Sequence, residues 1–214
     1  VKTGQADAAR AAYEQALAAD PNAVEAHVGL GLALYNSGDY AGAIEHWSAA
    51  AELEPTSFAA HYNLGLAYAA QGDYEQAADA YGAALQIRPD DANALNNYGW
   101  ALFELDRPEE AIPQFEQAIA AKPDLQVAYL NLALALEKAG RQEEALARWQ
   151  DAVARFPQLA AAHLGLANLY YARQDYDAAL PEYLKTLELE PNNLEAHNNA
   201  GLIYLGRDNA WAAG

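Results

Sequence analysis

The chain has 214 residues, 12 Lys and Arg against 30 Asp and Glu, a net charge of −18, and neither cysteine nor methionine. Missing cysteine excludes disulfides and thiolate metal sites and leaves the redox compartment open. The acidic balance argues against nucleic acid, whose phosphates call for a basic stripe. No run of eighteen apolar residues is present, so no membrane span is expected; a soluble chain, weakly favouring the cytoplasm, is the expectation.

In chain order, Pro21, Pro55, Pro89, Pro123, Pro157 and Pro191 recur every 34 residues without a slip. A fixed period of this length marks an array of identical units. With the proline at position 32, residues 1–23 are the second helix of a partial repeat. Full repeats follow at 24–57, 58–91, 92–125, 126–159 and 160–193, and 194–214 holds the first helix of another partial repeat. At the start, Gly4 falls at an inter-helix break and Ala9, Tyr13, Ala16 and Leu17 follow a second-helix pattern. Each full repeat carries two amphipathic patterns. In 58–91 the first places His61, Leu64, Gly65 and Tyr68 on one face, and the second Ala77, Tyr81, Ala84 and Leu85. Between them stand breaks such as Gly38-Asp39 and Gly72-Asp73, where glycine ends one helix and aspartate caps the next. The proline closes the second helix, because the residue before it is pushed out of the helical region. Asp106 and Gln174 replace the break glycine and predict looser turns. Pro113 and Pro181 fall early in second helices and predict a slight bend. At the far end the pattern predicts a helix over 194–205 and a break at Arg207-Asp208-Asn209.

Three columns are diagnostic. Position 20 is Ala43, Ala77, Ala111, Ala145 and Ala179; position 24 is Trp47, Tyr81, Phe115, Trp149 and Tyr183; position 8 is Gly31, Gly65, Gly99, Ala133 and Ala167. Together with the proline, these residues resemble the tetratricopeptide repeat (TPR) family over nearly the whole chain. The resemblance implies an all-α fold: one array of antiparallel helix pairs stacked into a right-handed superhelical solenoid with a concave groove. It implies a protein-interaction scaffold that binds an extended peptide or partner segment. Self-assembly through uncapped ends, or a substrate-recruiting module of a larger enzyme, are the alternatives.

No phosphate-binding glycine loop, nucleophile–histidine–carboxylate spacing or paired-carboxylate motif is found, so neither an enzyme nor a cofactor nor a small-molecule substrate is expected. His27, His61, His163 and His197 share position 4, one per repeat. Such neighbours lie too far apart to share a metal at ligand distances of about 2 Å, so the expectation is packing and no metal.

In the resemblance, first-helix positions 2, 5, 6, 9, 12 and 13 build the groove. Position 6 offers Asn63, Asn97 and Asn131, whose amides match a peptide's N–H and C=O and would hold its backbone; bonds to neighbouring helices are the alternative. Around them position 5 gives Tyr62, Asn96 and Leu130, position 9 gives Leu66, Trp100 and Leu134, and position 12 gives Phe103. Trp100 stands outside the core column, which makes it a candidate binding hot spot. Lys138 at position 13 is the groove's one cation, which argues against a clamp for a peptide's carboxylates.

Overall fold

The computed structural model describes the backbone of residues 2–212 and the side chains of residues 7–206. Among the described residues there are twelve helices and no strand. The chain forms two compact units, residues 1–122 and 123–214. The first holds α1 (Lys2–Ala19), α2 (Val24–Asn36), α3 (Tyr40–Leu53), α4 (Phe58–Gln71), α5 (Tyr74–Ile87), α6 (Ala92–Glu104) and α7 (Pro108–Ala121). The second holds α8 (Gln126–Lys138), α9 (Gln142–Arg155), α10 (Ala160–Ala172), α11 (Tyr176–Leu189) and α12 (Leu194–Ala212). Within each unit every helix packs on the next in sequence, and first helices also touch: α2 meets α4, and α8 meets α10. Each unit is thus a segment of helical-repeat solenoid with its first helices side by side.

The diagnostic columns are the core. All five position-20 alanines are fully buried, as are Trp47, Tyr81, Phe115, Trp149 and Tyr183 to within 2 %. Small residues let these rings lie against a neighbouring helix backbone. A Cβ at Gly65 would sit 2.5 Å from the Tyr81 ring, and one at Gly99 would sit 2.8 Å from Phe115. Trp47 covers Gly31 in the same way and donates its indole N–H to the Val28 carbonyl at 3.0 Å. Trp149 instead covers Gly165 in the following repeat, and its indole N–H is taken by Glu137. Burial pushes the Glu137 carboxyl up, and the Trp149 hydrogen bond opposes that shift.

Every second helix from α1 to α11 ends two residues before its spaced proline. The proline carbonyl then lies beyond the helix and needs a donor. Position 4 of the next helix provides it. His27 donates to Pro21 (3.0 Å), His61 to Pro55 (3.0 Å), His163 to Pro157 (3.1 Å) and His197 to Pro191 (2.8 Å). Tyr129 uses its hydroxyl on Pro123 at 3.1 Å. The histidines are therefore donors to the joint between repeats, a role more specific than filling space. At Pro89 the corresponding residue is Leu95, which is buried and has no such donor.

The breaks follow the sequence with some differences. Gly38, Gly72 and Gly140 take positive φ, and so do Asp106 (59°) and Gln174 (62°). The tight turn is kept at Asp106 and Gln174 at the cost of a conformation that L side chains disfavour; these turns are strained instead of loose. Asp39 caps α3 by accepting from the Gly42 N–H at 3.0 Å, whereas Asp73 makes no capping bond to α5. Pro108 occupies the first turn of α7, where its missing N–H leaves nothing unpaired. Both α7 and α11 run without interruption past Pro113 and Pro181. Two expected breaks are corrected: α1 passes through Gly4, and α12 continues through residues 207–209 to Ala212. Neither place has a described partner helix on its far side against which a turn would be folded back.

Candidate peptide-binding groove

In the first unit, α4 places Tyr62, Asn63 and Leu66, and α6 places Asn96, Asn97, Trp100 and Phe103. Tyr62 stacks on Phe58 with ring centroids 5.6 Å apart and planes within 12°. Its hydroxyl accepts from Asn97 Nδ2 at 3.2 Å, and Asn97 Oδ1 accepts from Asn96 Nδ2 at 3.2 Å. Asn97 thus ties α6 to α4. Burial raises the Tyr62 hydroxyl above its ordinary range, offset in part by the Asn97 bond, and the buried Tyr81 hydroxyl is raised as well. Asn63 is half-buried, and its side chain makes no hydrogen bond among the described residues.

Trp100 stacks on Phe103 at 5.0 Å between centroids, with planes 23° apart. Beside this pair lies a cavity of about 210 Å³ lined by Tyr35, Leu66, Ala69, Ala70, Tyr81, Asn97, Trp100 and Ala101. Its size is below the ~300 Å³ at which small-molecule pockets begin and suits one large side chain. Of the groove positions in this unit only Glu25 and Glu104 carry charge. Leu32 at position 9 is 49 % exposed. The site is an apolar shelf with one polar edge.

In the second unit, Leu130 is half-buried, Leu134 is 38 % exposed, and Asn131 is 7 % exposed with partners of its own. Asn199, also at position 6, donates to the Tyr183 hydroxyl at 3.0 Å and faces Asn168 Oδ1 at 3.4 Å, while Tyr183 donates to Asn168 at 2.7 Å. The sequence expectation of three open asparagines meets this geometry at Asn63 alone. Asn97 is engaged with α4 and Asn96, and Asn131 is buried. The alternative reading, bonds to neighbouring helices, holds for Asn97. Asn168 and the ring of Tyr81 belong to these networks and were not among the sequence candidates. The signal for both was the phenol at position 24, whose hydroxyl must find a polar partner on a neighbouring helix. Among the described residues no group of three or more His, Cys, Asp or Glu converges, and no helix is long and apolar enough to cross a membrane.

Family profiles match along the chain: a TPR repeat at residues 1–38, 33–72 and 167–206, and a tetratricopeptide repeat at 56–124 and 127–158. The chain belongs to the tetratricopeptide repeat family. Similar TPR folds are found among solved structures. One from Parabacteroides merdae ATCC 43184 has a TM-score of 0.79 at 18% identity, covering 97% of this chain and 82% of that one. A MamA structure is 30% identical with a TM-score of 0.69, covering 73% of this chain and 86% of that one. YrrB, described as a TPR protein with an unusual peptide-binding site, has a TM-score of 0.73 at 20% identity, covering 87% and 96%. No curated protein matches the chain. As a member of the TPR family, the chain is a protein-interaction scaffold by fold.

Proposed function

We propose that this TPR chain binds an extended, uncharged-to-basic protein segment along its first helices, with one large apolar side chain seated beside Trp100. The cavity of about 210 Å³ carries the reading, because it is open, apolar and next to an indole. Asn63 is the amide free to pair with the segment's backbone. Asn97 shapes the cavity wall, and a three-asparagine ladder would require it to release Tyr62. Leu66 and Phe103 complete the contact in this unit; Leu130, Asn131 and Leu134 form the corresponding surface in the other. The YrrB description of a peptide-binding site, at 20% identity, supports the fold's suitability and nothing finer. An acidic chain whose one groove cation is Lys138 disfavours carboxylate-rich segments.

The test is selection of peptides against the chain, followed by affinity measurement with Trp100→Ala and Asn63→Ala. Removing a central aromatic anchor costs about 2 kcal/mol or more, or roughly thirtyfold in Kd. Peptides that bind Trp100→Ala as well as the parent would refute the reading. A second reading, self-association, rests on α12, where Leu202, Tyr204 and Leu205 are 47 %, 48 % and 61 % exposed. Light scattering that stays at monomer mass up to high concentration would remove it.

A further inference from the structure

His27 and His46 face each other across the α2–α3 pair, with Nδ1 to Nδ1 at 3.0 Å and ring centroids 5.3 Å apart. His46 lies at position 23, outside every diagnostic column, so the pair is invisible to a count of like-registered histidines. The His27 tautomer is fixed by its surroundings. Its Nε2 is 3.0 Å from the Pro21 carbonyl, which can only accept. The proton therefore sits on Nε2, and the neutral ring aims its Nδ1 lone pair at His46. A backbone carbonyl holding the far N–H is the usual outer support of a metal-ligating histidine: it sets the tautomer and the ring orientation. His61 and His197 make the same proline bond but have no imidazole opposite. His163 has Glu182 at 2.6 Å from its Nδ1.

We propose that His27 and His46 form a two-histidine chelate for a divalent late transition ion of the copper(II) or nickel(II) class. Two nitrogens 3.0 Å apart, each about 2.05 Å from a shared ion, subtend about 94°. That is the cis angle of tetragonal coordination, which copper(II) and nickel(II) favour, and is narrower than the tetrahedral angle zinc prefers. Little rearrangement is needed: the His46 proton moves from Nδ1 to Nε2, and the ion takes its place between the two Nδ1 atoms. His46 is half-buried, with its Nδ1 held opposite that of His27. The net charge of −18 adds a general attraction for cations. Nearby Arg10 is paired with Glu14 at 2.9 Å, which offsets its charge. Among the described residues no third ligand converges, so water fills the remaining positions and the ion is exchangeable. The chelate would clip α2 to α3.

The experiment uses the untagged full chain, titrated with copper(II) sulfate at neutral pH in a non-coordinating buffer. Stoichiometry and affinity come from calorimetry, and ligand identity from electron paramagnetic resonance. One copper per chain with hyperfine structure from two imidazole nitrogens is expected. His46→Ala and His27→Tyr should each weaken binding about tenfold or more, while His61→Ala and His197→Ala bind as the parent does. His27→Tyr keeps a donor for the Pro21 carbonyl, as Tyr129 does for Pro123, so its loss of binding would not reflect a lost fold. Copper that binds the His27→Tyr, His46→Ala double variant as tightly as the parent, at the chain terminus or elsewhere, would overturn the proposal. A spectrum unchanged by His46→Ala would overturn it equally.

Discussion

Replacing the position-4 histidines should separate two kinds of joint that look alike in sequence. His61 is half-buried and makes one neutral bond, to the Pro55 carbonyl at 3.0 Å. His163 is 5 % exposed and has acceptors on both ring nitrogens, the Pro157 carbonyl at 3.1 Å and the Glu182 carboxylate at 2.6 Å. A neutral hydrogen bond contributes about 1 kcal/mol and one to a charged group about 2 kcal/mol. His61→Leu should therefore cost about 1 kcal/mol and His163→Leu about 3 kcal/mol. The leucine buries more of its own methyl surface at position 163 than at half-buried position 61, which narrows the difference to about 1–2 kcal/mol.

Tyrosine provides the control, because Tyr129 already makes this bond with its hydroxyl. His61→Tyr should be near neutral. His163→Tyr should keep the Pro157 bond, lose Glu182, and cost about 2 kcal/mol. Stacked repeats open piecewise and need not unfold in one step, so native-state hydrogen exchange is the assay of choice. Amides of α4 and α5 report on the first site, and those of α10 and α11 on the second. Equal costs for the two leucine variants, or a silent His163→Tyr, would refute the assignment of the larger share to Glu182.

Other perturbations test the packing directly. Gly65→Ala gains about 1 kcal/mol of helix propensity but drives a methyl to 2.5 Å from the Tyr81 ring, a clash of about 1–3 kcal/mol. Gly82→Ala has nothing within 4 Å of the new atom and should stabilise by about 1 kcal/mol; a denaturation midpoint that falls for Gly82→Ala would contradict the geometry. Gln174→Gly relieves a φ of 62° and should raise the stability of its unit by about 1 kcal/mol, with no gain meaning that the turn is unstrained. Burial pushes the Tyr183 hydroxyl up to about 12, the bond from Asn199 opposing this. In the unfolded chain that phenol ionises near 10, so between these values the folded state holds a proton the unfolded state has lost. Stability should decline as pH rises from about 10 to about 12, and Tyr183→Phe should flatten that decline in pH-dependent melts.

The helix ends could be read from sequence because they are set by local chemistry: a proline that cannot continue a helix, and a glycine that can turn left-handed. The core could be read because alanine at position 20 and an aromatic at position 24 recur with a helical period, and both columns are buried. What escaped depends on side-chain direction across helices. Asn63 and Asn97 occupy the same register position, yet Asn97 has the Tyr62 hydroxyl, from position 5 of the preceding repeat, within reach, while the corresponding residue before Asn63 is Val28. Identical columns thus acquire different roles according to whether position 5 of the preceding repeat carries a hydroxyl. The proline carbonyl shows the converse. A donor six residues after the proline appears in five repeats as His27, His61, Tyr129, His163 and His197, and only Leu95 departs. Histidine and tyrosine share little except a hydrogen to donate at the end of a flat ring. Their alternation at one position was itself the evidence for an acceptor, and the acceptor lay on the residue that set the period.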